Sequence, residues 1–536
     1  MGYLQGASVV LIVCEGVGIV ADGRWRGSVS PSTLEHDTRD LAGFGYRQRL
    51  DRTLGGFSAF AAGFSYLSVL TGSSQLFHLG FAAGGPAFFW TWPAVFAGQF
   101  LVALCFAEMA SRYPLSGGVY QWSKRVGSAS VGWMAGWVYL AGSVITLAST
   151  SMALQSVLPQ LHPSFQFLGS ASNRADSARN AVLLACGLIA ITTLINSFGL
   201  RLLARINNVG VFVELLGVLL LIVLLASVAK RGPSVVLETQ GKGVGHTLGY
   251  LGPALAASLM ATFVLYGFDT AGSLAEETDD PRRRAPRAIL LALASVGISG
   301  SLLVFTALRA AGDLNDPELG RGSGGLPYII KQALGAAVGT PFLVVMGFAI
   351  FVCTLTVHAA AVRLMFSMAR DNLLPCSKAL ARVDKGSRTP TLPAIVIGVA
   401  AISLLILNLD LPQVIEYMAS VAVVWANLAY LFVTFPLLWY WRSLAHPAID
   451  DSLEESSDEH TGFRLGVFGP IVSAAAVGFG GLVVVNIGWP RPEIYGDGPL
   501  GRFGALPATA AMLAVGWLYD HFVRRHRGGI LEEHRV

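Results

Sequence analysis

Long apolar stretches alternate along this chain with short polar ones that gather the arginines, lysines and acidic residues. Crossing about 30 Å of hydrocarbon takes roughly 20 apolar residues in a helix. Twelve stretches are of that order: about 57–79, 87–110, 131–158, 180–197, 206–229, 250–274, 288–311, 340–368, 392–410, 413–436, 466–487 and 504–523. Within lipid only a helix satisfies all of its own backbone groups, so each stretch predicts a transmembrane helix. The alternating ten-residue strands of a membrane barrel do not occur. The predicted fold class is therefore an all-α polytopic membrane protein. The pattern divides it into a cytoplasmic N-terminal segment (1–56), a core of ten spans (57–436), an acidic loop (437–465), spans eleven and twelve (466–523) and a tail (524–536).

Composition agrees with this reading. Of 536 residues, 53% are hydrophobic and 13% charged, against roughly a quarter charged in soluble domains. The net charge of +4 is small and gives no reason to expect a nucleic-acid partner. The basic residues instead report orientation. Arg47, Arg49, Arg52, Arg112, Lys124, Arg125 and the run Arg282–Arg287 fall in one set of alternating loops. That set is about twice as dense in Lys and Arg as the other, which holds Arg174, Arg179, Lys230 and Arg231. The denser side is cytoplasmic by the positive-inside rule, which puts both ends inside a cell membrane. Trp90, Trp92, Trp122, Trp439, Trp441 and Trp489 fall where interfacial anchors are expected. The five cysteines have no metal or redox spacing and read as small packing residues. No metal or other cofactor is implied. The first thirty residues fit poorly. A short apolar run, Val9–Val13, is interrupted by Glu15 and lacks a signal peptide's basic start, so this stretch is either an overextended start, with Val29 near the true one, or a short surface helix. Asp450–His460 is an acidic polar loop.

Two apolar runs carry glycine and small polar groups at membrane depth. Span 1 holds Leu70, Thr71, Gly72, Ser73 and Ser74; span 6 holds Phe263, Val264, Leu265, Tyr266, Gly267, Phe268 and Asp269. Small residues also mediate ordinary helix contacts. Their paired occurrence five spans apart favours helices that break in mid-membrane. Such a break frees N–H groups for a carboxylate and carbonyls for an ammonium.

The run Ala107-Glu108-Met109-Ala110-Ser111-Arg112-Tyr113-Pro114-Leu115-Ser116-Gly117-Gly118-Val119-Tyr120 resembles the signature following the second span of amino acid–polyamine–organocation transporters. Tyr266 to Thr278 with Pro281 and Pro286, and Ala361 to Pro375, are similar to that family's sixth span with its exit and to its eighth span. The lead-in Tyr46–Gly55 and a glutamate in span 5 resemble the amino acid/choline subgroup. The resemblance implies a 5+5 inverted repeat with broken spans 1 and 6 and two peripheral helices. It implies a substrate held by Thr71, Gly72, Ser73 and Ser74 on one side and Phe263, Val264, Tyr266 and Gly267 on the other. Phe268 is either an aromatic gate or packing. The family's Gly-Thr-Gly is here Leu70-Thr71-Gly72, which fits a substrate without an ordinary α-amino-carboxylate group. Amino acids, GABA, polyamines and choline-like amines all remain open.

Glu214 lies deep in span 5, where an ionisable group is costly. Some proton-coupled relatives carry a lysine at the matching position. Glu214 either carries the coupling proton, since burial favours a neutral carboxyl, or pairs with a cationic group. Glu108, Glu276, Glu277 and the Arg282–Arg287 cluster are either solvated helix-end charges or an intracellular gate of ion pairs. Asp269 is expected to order the span 6 break through local hydrogen bonds. Ser420, Trp425 and Asn427 are weaker pocket candidates. Scattered histidines and the lack of a Gly-Lys-Ser/Thr stretch argue against an enzyme or an ATP-driven pump. The expectation is a secondary permease for amino acids or related amines, working by alternating access and coupled to protons. An exchanger and a transporter-like sensor are the alternatives.

Overall fold

The apolar stretches form helices because lipid leaves no other way to satisfy their backbones. The computed structural model describes residues 31–48, 50, 52, 54–384, 389–444, 462–496, 498, 503–527 and 529–536. The expectations for residues 1–30 and for the Asp450–His460 loop lie outside the described residues. After α1 (Pro31–Gly43), span 1 comprises α2 (Gly56–Leu67) and α3 (Val69–Gly84). Spans 2 and 3 are α4 (Thr91–Arg112) and α6 (Ala129–Ser151), linked by the short α5 (Gly118–Val126) and followed by α7 (Leu154–Leu161). Spans 4 and 5 are α8 (Arg174–Phe198) and α9 (Leu200–Ser227). Span 6 is α10 (Leu251–Val264) and a fragment, α11 (Thr270–Ser273). Spans 7 and 8 are α12 (Pro281–Ala310) and α13 (Gly325–Arg370), followed by α14 (Ser377–Leu380). Spans 9 to 12 are α15 (Thr391–Leu407), α16 (Val414–Leu444), α17 (Gly469–Gly488) and, after α18 (Pro492–Tyr495), α19 (Leu506–Phe522). Among the described residues, extended pairing is limited to two isolated bridges, Tyr46–Arg535 and Leu54–Thr278.

The chain is thus an all-α polytopic membrane protein. Eight helices among the described residues are individually long and apolar enough to cross a membrane. The first and sixth stretches fall short because each is divided, and α15 and α19 because each is only 17 residues long. Helix ends differ from the apolar limits where capping outweighs hydropathy. α8 begins six residues before its apolar stretch, because the Asn173 side chain accepts hydrogen bonds from the N–H groups of Ala175 (2.9 Å) and Asp176 (3.3 Å). α13 runs 46 residues, with a non-helical kink at Gly335 ahead of the apolar part.

Spans 11 and 12 are peripheral: α17 packs on α4 and α16, and α19 on α6. Trp90, Trp439 and Trp489 are exposed, as interfacial anchors require. Trp92 and Trp122 are not anchors. Both are buried, and their indole N–H groups donate to Gly297 O and Tyr113 O at 3.0 Å each, which removes their need of the interface. The two described ends meet on one face. Arg47 N–H donates to His534 O (2.9 Å), and Leu531 N–H donates to Arg370 O (3.0 Å) at the end of α13.

Candidate functional site

Span 1 breaks at Ser68, whose φ of 27° and ψ of 98° interrupt the helix. The break is two residues earlier than the Leu70–Ser74 run that suggested it. Serine suits the start of a helix because its hydroxyl accepts a freed N–H; here Ser68 Oγ accepts from Thr71 N–H (3.3 Å). Thr71 to Ser74 then form the first turns of α3 rather than unwound chain. Ser74 Oγ donates to Thr71 O (2.8 Å), and neither Ser73 nor Ser74 lines the cavity.

Glu214, on α9, reaches into this break. Its Oε1 accepts from Ser68 Oγ (2.8 Å) and from Leu70 N–H (3.2 Å), and the residue is 1% exposed. Ser68 Oγ also lies 2.6 Å from Thr71 Oγ1, so two hydroxyls connect Glu214 to the cavity wall. No basic side chain among the described residues pairs with Glu214, whose bonds are those from Ser68 and Leu70. The start of an α-helix leaves its first N–H groups without helical acceptors and carries positive potential. At α3 much of that capacity is met by Glu214 and Ser68.

Span 6 breaks after Val264. Gly267 has φ +99°, and a Cβ there would stand 2.0 Å from the Tyr66 ring, so only glycine fits. Gly267 N–H donates to Tyr430 Oη (2.8 Å). Tyr430 and Tyr139 both donate to Asp269 Oδ1, at 2.5 and 2.7 Å. Asp269 therefore orders the break through spans 10 and 3, not through the local bonds expected of it. Phe268 is fully buried between Phe106 (5.7 Å) and Tyr430 (5.4 Å), away from the cavity. In this arrangement Phe268 packs among rings and does not line the cavity.

A small cavity lies between the two breaks. Of the expected substrate residues it is lined by Thr71, Gly72, Phe263, Val264 and Tyr266, but not by Ser73, Ser74, Gly267 or Phe268. Its other walls are Tyr66, Leu67, Thr146, Thr150 and Cys353. Sequence reasoning missed these: Thr146 and Thr150 belong to span 3, and Cys353, read as a packing residue, belongs to span 8. A period of four in span 3 (Thr146, Thr150) is the sole signal that could have marked a polar face there. A Cβ on Gly72 would meet Val264 Cγ2 at 2.3 Å, so glycine lets α3 approach α10 here. Tyr266 Oη lies 2.8 Å from Thr146 Oγ1, closing one side. The span 10 candidates are elsewhere: Trp425 donates to Thr509 (3.0 Å), Asn427 accepts from Gln99 (3.1 Å) and Ser420 donates to Tyr417 O (2.8 Å).

Toward the face where the two described ends meet, the acidic residues are buried and paired, which excludes solvated helix ends. Glu276 and Arg370 form a bidentate pair, both bonds 2.9 Å, and both side chains are 1% exposed. Ser116 N–H adds a third bond to Glu276 (3.0 Å), and Tyr46 lies under the Arg370 guanidinium at 4.0 Å. Glu277 faces Arg363 at 3.3 Å, and Glu277 O accepts from Leu54 N–H (2.9 Å). Glu108 pairs with Arg112 one turn on and accepts from Leu465 N–H (3.2 Å). From the arginine cluster, Arg282 pairs with Asp40 (2.6 Å) and Arg284 with Asp279.

Known proteins match this architecture. The model of the family described as "Amino acid permease" matches residues 54–496. The chain is 26% identical over 508 residues to amino-acid permease BAT1 of Arabidopsis thaliana, covering 91% of this chain and 94% of that one. It is 27% identical over 344 residues to the low-affinity putrescine importer PlaP of Escherichia coli, covering 61% and 69% respectively. The crystal structure of MhsT in complex with L-phenylalanine superposes with a TM-score of 0.51 at 16% identity, covering 81% of this chain and 97% of that one; the two share a fold.

Proposed function

The chain belongs to the amino acid permease family, and from that premise we propose that it imports its solute by alternating access, driven by the proton gradient. It is a transporter of amino acids or amines, not an enzyme. One observation carries the proton-coupled reading: the buried carboxyl of Glu214 is bonded to Ser68 and Leu70 at the break of span 1.

The carboxyl accepts both bonds best as an anion, since charge-assisted hydrogen bonds are the stronger kind. Taking up a proton weakens both and frees Ser68, the joint between α2 and α3. Proton arrival and the swing of half of span 1 are thereby linked through one residue. The solute occupies the cavity between the two breaks, touching Thr71, Gly72, Phe263, Val264 and Tyr266. The pairs Glu276–Arg370 and Glu277–Arg363 close one end and part when that end opens. The shared face of the two described ends supports an even number of crossings, with both ends in the cytoplasm of a cell whose plasma or inner membrane holds the protein.

The test is uptake into proteoliposomes of labelled GABA, arginine, putrescine, choline and neutral amino acids, with and without an inward proton gradient. Gradient-stimulated accumulation that Glu214→Gln makes independent of pH is the expected result. Movement only against preloaded solute would indicate exchange and overturn the coupling. Retention of full pH dependence in Glu214→Gln would remove Glu214 from the mechanism.

A further inference from the structure

We infer that the cavity selects an organic ammonium ion lacking a carboxylate, and disfavours the amino acid that carries one; this rests on the transport reading of the same cavity. The argument is an inventory of which charges the walls can receive.

An anionic group would need the start of α3 or a basic side chain. Three of the first four N–H groups at the start of α3 are already bonded within the chain: Ser68 N–H to Phe64 O (2.9 Å), Leu70 N–H to Glu214 (3.2 Å) and Thr71 N–H to Ser68 Oγ (3.3 Å). The acceptor of the second is itself a carboxyl, so a solute carboxylate would be the second acid at one helix end. None of the lining residues is basic.

A cation meets the opposite surroundings. α10 ends at Val264, and among the described residues no donor reaches the carbonyls of Thr262, Phe263 or Val264. The end of a helix carries negative potential. Tyr66, Phe263 and Tyr266 gather three rings at this wall, Tyr266 lying 6.2 Å from Tyr66 and 5.9 Å from Phe263. Ring faces attract ammonium groups. The Tyr66 hydroxyl is buried without a partner among the described residues. It serves an ammonium as acceptor or any ligand as donor, and so does not discriminate. Behind Thr71, the Ser68 hydroxyl leads to Glu214, an acidic group two hydrogen bonds from the cavity. Glu214 thus acts as a specificity residue as well as a proton carrier: it occupies the place a solute carboxylate would take, and its charge favours a cation.

The experiment compares solutes that differ only by the carboxylate. Binding of agmatine and arginine, and of cadaverine and lysine, is measured directly on the purified full-length protein by titration calorimetry. The expected result is at least tenfold tighter binding of the decarboxylated member of each pair. Phe263→Leu should weaken the amine threefold or more with little effect on folded yield. Glu214→Gln should narrow the difference within each pair. Equal or tighter binding of arginine and lysine overturns the selectivity and leaves the transport reading standing. If folded protein binds and moves no amine or amino acid, both fall.

Discussion

Removing one partner of the Glu276–Arg370 pair should be far more damaging than removing both. In Arg370→Met the Glu276 carboxylate stays 1% exposed with Ser116 N–H as its remaining bond. Breaking a buried ion pair from one side costs about 3–5 kcal/mol. The same change removes the guanidinium from above the Tyr46 ring, 4.0 Å away, a further ~0.5–2 kcal/mol. A loss of 3–5 kcal/mol is roughly a 100- to 4,000-fold change in the ratio of folded to unfolded protein. Proteins commonly have only about 5–15 kcal/mol in total. Glu276→Gln should cost a similar amount, because it leaves Arg370 charged and buried. The double variant Glu276→Gln/Arg370→Met should lose less than either single one, since the amide introduced at position 276 keeps an acceptor for Ser116 N–H and no unpaired charge remains. The assay is the fraction of monodisperse protein surviving a graded heat challenge in detergent, for all four members of the cycle. Additive losses in the double variant would show that the pair is not energetically coupled and would refute the reasoning.

Other outcomes follow from single contacts. Gly267→Ala puts a Cβ 2.0 Å from the Tyr66 ring at a φ of +99°; a left-handed conformation alone costs an L-residue about 1–2 kcal/mol, so uptake per folded molecule should fall at least tenfold. Gly72→Ala clashes with Val264 Cγ2 at 2.3 Å and should cost about 1–3 kcal/mol of overpacking. Adding Val264→Ala should restore much of the heat stability, and failure to do so would show that the clash is not the cause. A chain ending at Ile530 loses the Leu531–Arg370 and Arg47–His534 backbone bonds and the contact of His534 Nε2 with Ala381 O (3.1 Å). At about 0.5–1.5 kcal/mol per bond, trypsin should cut after Arg47 roughly tenfold faster or more in detergent. An unchanged rate would mean that the tail does not hold the N-terminal segment.

The expectation that spans 1 and 6 break was correct, but the place of the first break was not legible. Gly72 and the serines drew attention to 70–74, whereas Ser68 is the joint because its hydroxyl can cap α3 and reach Glu214. Glu108, Glu276 and Glu277 were visible as acids at span ends. That Glu276 meets Arg370, 94 positions away, was not. Nothing local to Phe268 distinguishes a gate from a core ring, and its neighbours Phe106 and Tyr430 come from spans 2 and 10.

By itself the sequence determined the membrane fold class, the apolar spans and the depth of Glu214. These depend on local composition, and transfer into lipid is roughly additive along a helix. Only the tertiary structure decided which faces meet. The cavity draws Tyr66 and Thr71 from span 1, Thr146 and Thr150 from span 3, Tyr266 from span 6 and Cys353 from span 8. A helix buried on most of its sides shows little periodicity in its sequence. Its rotation is set by packing and by pairings between distant residues, and no stretch of the chain contains these on its own.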